Sequence, residues 1–184
     1  MGCGYNKIST HINVDSSATC SPDLVFDLET LPWPWETSVA ESVVFNHSLE
    51  HMGQDSRIFL GMMQELYRIC KHRADVFVNV PHPRHDHFIG DPTHVRAITP
   101  SLLSLFDREK NDIWKRHGVA NTPLAHYLGV NFKTVEVQAI PDEPYRTMFL
   151  EEKTSVDDLD KLSRELNNVL VEYRFRLVVF KESL

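Results

Sequence analysis

The chain has 184 residues, enough for one domain built around a single hydrophobic core. Hydrophobic residues make up 42% of it and charged residues 24%, which excludes a disordered or fibrous class. A formal net charge of −7 argues against the clustered cations that nucleic-acid or anionic-membrane binding requires, so neither partner is expected.

The chain opens on Gly2-Cys3-Gly4. A glycine loop lets the backbone come close to a ligand, but it needs a rigid strand behind it, and here only Met1 precedes it. Residues 8–14 (I-S-T-H-I-N-V) read as a short strand ending at Asp15, and residues 24–26 as a second ending at Asp27. Pro32-Trp33-Pro34-Trp35 reads as a rigid loop whose indoles cover one side of a sheet or pocket. Residues 41–45 form a third strand, ending at Asn46-His47. Ile58, Phe59, Met62, Leu66, Ile69 and Cys70 fall at three- and four-residue spacings, which predicts an amphipathic helix over 55–73. Residues 75–81 (D-V-F-V-N-V-P) are the clearest strand, closed by proline and followed by His82.

Thr99-Pro100 carries the cap and first-turn signals of a helix that Gly118 ends. Residues 132–140 and 169–180 are long β-rich segments, and residues 156–166 between them are helical. Alternating strands and helices predict an α/β fold with a largely parallel sheet, here as a single domain over 1–184. The cysteines Cys3, Cys20 and Cys70 are widely spaced with no Cys-x-x-Cys pair, so they read as reduced thiols. No stretch is long or apolar enough to span a bilayer, and no basic-then-apolar signal pattern opens the chain. The expectation is a cytoplasmic protein.

Four strand ends carry polar groups: Asp15, Asp27, Asn46-His47 and His82. Ligands of open parallel sheets bind beyond the carboxyl ends of the strands, so these ends point to one shared site.

The order G-C-G-Y-N-K-I, I-N-V-D, D-L-E-T-L-P-W-P-W, F-N-H-S-L-E-H-M, E-L-Y-R-I-C-K and V-N-V-P-H resembles the class I S-adenosylmethionine-dependent methyltransferases over residues 2–100. The resemblance implies a Rossmann-like, mostly parallel sheet with an antiparallel C-terminal strand, and S-adenosylmethionine as cofactor. It assigns Asp15 to the ribose hydroxyls and Asp27 with Leu28 to the adenine. Gly2, Cys3 and Gly4 would pass beside the methionine portion, and Asn46 and His47 would line the reactive end. The implied reaction is methyl transfer to a small-molecule or carbohydrate-type acceptor. Such in-line displacement requires chiefly positioning, so no catalytic residue stands out. A degenerate, non-catalytic methyltransferase-like protein acting through a partner is the alternative.

The family's first strand and first helix have no counterpart here, because only ten residues separate Gly4 from Asp15. The expectation is rearranged pairing, upstream residues, or a homo-oligomer or partner chain that completes the sheet.

The histidine-rich stretch from His82 to Arg96 has three readings. As a substrate-facing loop, His82, His94 or Arg96 would contact the acceptor. As a metal site, His85-Asp86-His87 with His94 would support a metal-dependent hydrolase, although the spacing matches no established ligand pattern. In the third reading the imidazoles are solvated or satisfied by backbone carbonyls. His47, Glu50 and His51 form a second cluster. Some methyltransferases hold a divalent ion here through Glu-x-x-Glu-His, but His47 stands at the first Glu position. Glu50-His51 reads instead as a helix-end hydrogen-bonded pair, and no metal is expected.

Overall fold

The computed structural model describes residues 1–181. Six strands form two sheets among them. Strands β1 (Val14–Asp15) and β2 (Leu24–Val25) pair in parallel. Strands β3 (Ala40–Asn46), β4 (Cys70–Pro81), β5 (Phe132–Pro141) and β6 (Leu170–Val179) form the second sheet, in spatial order β3-β4-β6-β5. The β3–β4 pairing is parallel and both pairings of β6 are antiparallel, so β6 alone runs against its three companions. This is an α/β arrangement with the expected reversed C-terminal strand; because β6 lies between β4 and β5, the four-stranded sheet has one parallel pairing and two antiparallel ones where a mostly parallel sheet was expected.

Seven α-helices surround the sheets: α1 (Ser56–Ile69), α2 (Asp86–Ile89), α3 (Pro100–Ser104), α4 (Arg108–His117), α5 (Leu124–Leu128), α6 (Tyr145–Leu150) and α7 (Val156–Glu165), counted over the described residues. Helix α1 buries Phe59, Met62, Met63, Leu66 and Ile69. These side chains join Val43, Phe45, Val76, Val78 and Val80 of β3 and β4 in the main core. Each fully buried apolar side chain of this kind contributes about 1.5–3 kcal/mol.

The predicted helix over 55–73 ends four residues early, because Cys70 is fully buried and opens β4 without an intervening loop. Arg73, at φ 65°, lies beside the register shift between Ala40 and Ser42. The single helix expected from Thr99 to Gly118 is two. Thr99 caps α3 by accepting from the Leu102 N–H, and Asp107 caps α4 by accepting from that of Lys110. This break lets Leu103 and Phe106 both enter the core. Gly118, at φ 66°, ends α4 as its position predicted.

Residues 8–13 are not a strand. Asn13 closes them into a loop: its Oδ1 accepts from the Ile8 N–H, and its Nδ2 donates to the carbonyls of Ile8 and His11. Ile12 is consequently 69% exposed.

The tryptophan loop packs as expected against one side of the structure. Trp33 is buried; its Nε1 donates to the Leu28 carbonyl at 2.8 Å, and its N–H donates to Glu65 of α1 at 2.7 Å. Trp33→Phe should therefore cost about 1 kcal/mol, the usual worth of one hydrogen bond, and loosen Leu28. Thermal unfolding checks the first effect, and amide exchange at residues 28–33 checks the second.

Residues 1–3 do not supply a central strand. They make two bonds across the space between the sheets, Met1 N to the Val44 carbonyl and Cys3 N to the Val14 carbonyl, each 3.0 Å. The two sheets otherwise remain separate.

Candidate cofactor and acceptor site

The carboxyl ends of β1 and β3 and the segment after β2 converge on a cleft of about 350 Å³ lined by Gly2, Gly4, Asp15, Asp27, Leu28 and His47. The two glycines serve it differently. Gly2 adopts φ +61°, and a Cβ there would stand 2.5 Å from the Cβ of Ser48. Gly4 adopts φ +50°, and a Cβ there would meet nothing within 4 Å, so this backbone faces open space. Gly2 allows the loop to seat on the turn after β3, and Gly4 leaves room for a ligand.

Asp15 ties strand to loop. Its Oδ2 accepts from the Gly4 N–H and its Oδ1 from the Ser17 N–H, both at 2.9 Å. Burial pushes the Asp15 carboxyl up, but the hydrogen bonds from Ser17 and Gly4 outweigh it and hold the group below its ordinary value. Asp27 Oδ1 accepts from the Glu29 N–H at 2.9 Å. Cys3 and Asn46 line the space between the two sheets instead of this cleft.

A second cavity, of about 510 Å³, adjoins the first and shares His47 and His51 with it; Glu50, His87, His94 and Glu172 complete its polar wall. His47 lies at φ +50° just beyond β3. Its Nε2 meets Glu172 Oε2 at 2.7 Å, and its Nδ1 lies 3.7 Å from Glu50 Oε1. Glu50 is 1% exposed, and neither of its carboxylate oxygens has a hydrogen-bond partner. The buried Glu50 carboxylate chiefly raises the His47 pKa; burial opposes this, and Glu172 adds to it.

The charged form of His47 therefore stabilises the fold. That contribution is complete below the unfolded value of about 6.5 and is lost as pH rises through the raised folded value. Glu172→Gln should lower the His47 pKa and move this loss of stability to lower pH. Melting temperatures across the neutral range, with the His47 imidazole followed by NMR, measure both.

His51 Nδ1 bonds Thr93 Oγ1 at 2.9 Å, while that hydroxyl donates to Asp91 at 2.6 Å. The Thr93 proton is thus committed, so His51 Nδ1 is the donor, and in the neutral ring Nε2 keeps the lone pair. His94 Nδ1 likewise donates to the Phe88 carbonyl at 3.0 Å. The expected Glu50–His51 hydrogen bond is absent: His51 Nδ1 goes to Thr93, and Glu50, without a hydrogen bond, faces His47 Nδ1 at 3.7 Å. Ligand-type atoms of Glu50, His51 and His94 lie within 4.8 Å of one another, as do those of Cys3, Asp15 and Cys20.

Of the three residues expected to contact an acceptor, His94 alone lines this cavity. His82 is buried, bonds Tyr173 Oη at 3.2 Å and accepts from the Arg84 N–H. Burial, then His85 and Arg84, push its pKa down to about 4. Arg96 donates to the Gly53 carbonyl at 2.6 Å and lies 4.2 Å above the Phe59 ring. His85 pairs with Asp142 and caps α2. Among the described residues, His94 is the one histidine of the 82–94 stretch that falls in such a ligand group, with Glu50 and His51.

Ser48, Met52 and Glu172 line these cavities without having been anticipated, and His87, expected only as a metal ligand, lines the second. Ser48 and Met52 follow the end of β3, so the strand-end rule extends naturally to them. Glu172 lies 125 residues from His47, and no local pattern marks it.

No family model and no curated protein matches the chain. The structure is similar to that of a SAM-dependent methyltransferase from Archaeoglobus fulgidus, with a TM-score of 0.64 and 16% identity over 96% of this chain and 83% of that one. It is also similar to that of a SAM-dependent methyltransferase from Methanosarcina mazei, with a TM-score of 0.54 and 13% identity over 98% and 91% of the two chains. No helix among the described residues is long and apolar enough to cross a membrane. At these identities the likeness is one of architecture: the chain has the class I S-adenosylmethionine-dependent methyltransferase fold.

Proposed function

We propose that this protein binds S-adenosylmethionine in the cleft at Gly4 and Asp15 and transfers its methyl group to a small hydroxyl- or amine-bearing acceptor, such as a carbohydrate, in the adjoining cavity. One observation carries the reading: the cleft gathers Gly2, Gly4, Asp15, Asp27 and Leu28, and shares His47 and His51 with a second, polar cavity.

The residues present fit the cofactor. The Gly4 backbone borders free space, and the Asp15 carboxylate at the end of β1 is suited to a ribose diol. Asp27 and Leu28 offer an acceptor and an apolar wall to an adenine. When bound, S-adenosylmethionine supplies a methyl group activated by its sulfonium.

The chain's own tasks are orientation, exclusion of water and removal of the acceptor proton. The neutral form of His51, donating from Nδ1 to Thr93, keeps a lone pair on Nε2 and is suited to take that proton. His47, whose charged form Glu50 and Glu172 favour, is suited to orient the acceptor oxygen.

Titration calorimetry with S-adenosylmethionine and S-adenosylhomocysteine tests the reading. Saturable one-to-one binding of both is expected, retained within a few-fold in His51→Ala. Absence of binding to either ligand overturns it.

A further inference from the structure

The turn after β3 carries Glu50 into the interior, where it is 1% exposed. Neither of its carboxylate oxygens has a hydrogen-bond partner among the described residues, and His47 Nδ1, 3.7 Å from Oε1, stands beyond hydrogen-bond reach. A carboxylate so placed is costly unless a cation or several donors meet it. Two imidazoles stand beside it. The Val95 and Arg96 N–H groups both donate to the Glu50 carbonyl, at 2.9 and 3.2 Å, which holds the loop after α2 against the turn after β3. His94 is thereby brought to His51, with ring centroids 4.5 Å apart, and ligand-type atoms of all three residues lie within 4.8 Å of one another. Each imidazole has its Nδ1 committed: that of His51 to Thr93 Oγ1, which Asp91 holds in turn, and that of His94 to the Phe88 carbonyl. Such partners orient metal-ligating histidines, because they fix the ring and reserve Nε2 for the ion. Asp91 Oδ2, 3.8 Å from His94 Nε2, adds negative charge beside the group.

We propose that Glu50, His51 and His94 hold a divalent first-row transition cation, with Zn²⁺ as the representative ion, and that its open coordination position faces the second cavity. Two imidazole nitrogens and one carboxylate oxygen suit zinc and its neighbours, whereas Mg²⁺ and Ca²⁺ prefer oxygen shells. Three protein ligands leave a further position free, and all three residues line that one cavity. The group of Cys3, Asp15 and Cys20 is a poorer site, because Asp15 already accepts from Gly4 and Ser17 and the Cys20 thiol donates to the Ser17 carbonyl. The ion site stands without the methyl-transfer reading, but its use rests on it. An acceptor hydroxyl bound at the open position is acidified by the ion and loses its proton to water. The ion and a proton compete for the His51 lone pair, so coordination takes the place of His51 as base whenever the ion is bound.

The probe is Zn²⁺, titrated by calorimetry into the full chain after chelator treatment. No S-adenosylmethionine is present, so the outcome is separate from that of the cofactor titration. A single equivalent per chain is expected, and a hundredfold excess over Kd should raise the melting temperature by about 8 °C. Co²⁺ in its place should show the strong visible absorption of an ion with fewer than six ligands. These measurements on the parent chain require no variant to fold. Glu50→Gln and His94→Gln should each weaken zinc about a hundredfold or more, and Thr93→Val, which takes the acceptor from His51 Nδ1, about tenfold. Cys3→Ser should bind zinc as the parent does. Three results each overturn the proposal: no stoichiometric zinc on the parent chain, affinity unchanged in both Glu50→Gln and His94→Gln, or binding lost in Cys3→Ser alone. The last would assign the ion to the thiol group.

Discussion

Asp15→Ala is expected to lower the affinity for S-adenosylmethionine about a hundredfold or more. A carboxylate that accepts from both ribose hydroxyls contributes two charge-assisted bonds of about 1.5–3 kcal/mol each, and a hundredfold loss corresponds to about 2.7 kcal/mol. The same carboxylate holds the Gly4 and Ser17 N–H groups, so its removal also loosens the glycine loop. Asp15→Asn separates these contributions: it keeps an acceptor oxygen but removes the charge, and should lie about tenfold from the parent. Calorimetry gives the affinities, and circular-dichroism melts of the same samples report the fold. Unchanged affinity in Asp15→Ala removes this residue from the cofactor site. The pH dependence follows from the lowered carboxyl pKa. The stability that the ionised group contributes is present above its unfolded value and is lost as pH falls through the lower folded value. Binding should therefore persist through mildly acidic solution and fail only below the ordinary carboxylate range.

Gly2→Ala is expected to cost about 2–5 kcal/mol of stability, the sum of a left-handed backbone penalty and of overpacking. Both contributions are present, since φ is +61° and the new Cβ would stand 2.5 Å from that of Ser48. For a chain of this size the melting temperature should fall by about 5–15 °C. Gly4→Ala bears the backbone penalty alone, about 1–2 kcal/mol, and places its methyl in open space. It should melt closer to the parent yet bind S-adenosylmethionine more weakly. Equal losses of stability in the two variants would refute this division between a packing glycine and a ligand-facing one.

Legibility in the sequence follows the range of the interaction concerned. Helix α7 appears where Leu159 and Leu162 mark one face, and a Ser155–Asp158 capping box sets its start, all within one short segment. β5 and β6 lie within a residue or two of their predicted bounds, because long β-rich runs fit nothing else. Residues 8–14 looked equally β-rich, but the side chain of Asn13 competes successfully for the backbone of Ile8 and His11. In the site, Asp15, Asp27 and His47 were legible because the ends of strands in such sheets face one cleft. His82 and Arg96 share the composition of a binding loop, but His82 lies buried against Tyr173 and the half-buried Arg96 is taken by Phe59 and the Gly53 carbonyl.

The sequence by itself determined the α/β alternation, the glycine loop and the acidic residues at the strand ends. Periodicity, turn chemistry and residue type express these features over a few neighbouring positions. Tertiary structure alone decided that Glu172 meets His47, that Glu50 lies buried without a hydrogen bond, and that the two sheets stay separate. These depend on contacts between residues far apart in the chain. Such contacts form only when strand pairing brings separate segments together, and no local pattern encodes which ones meet.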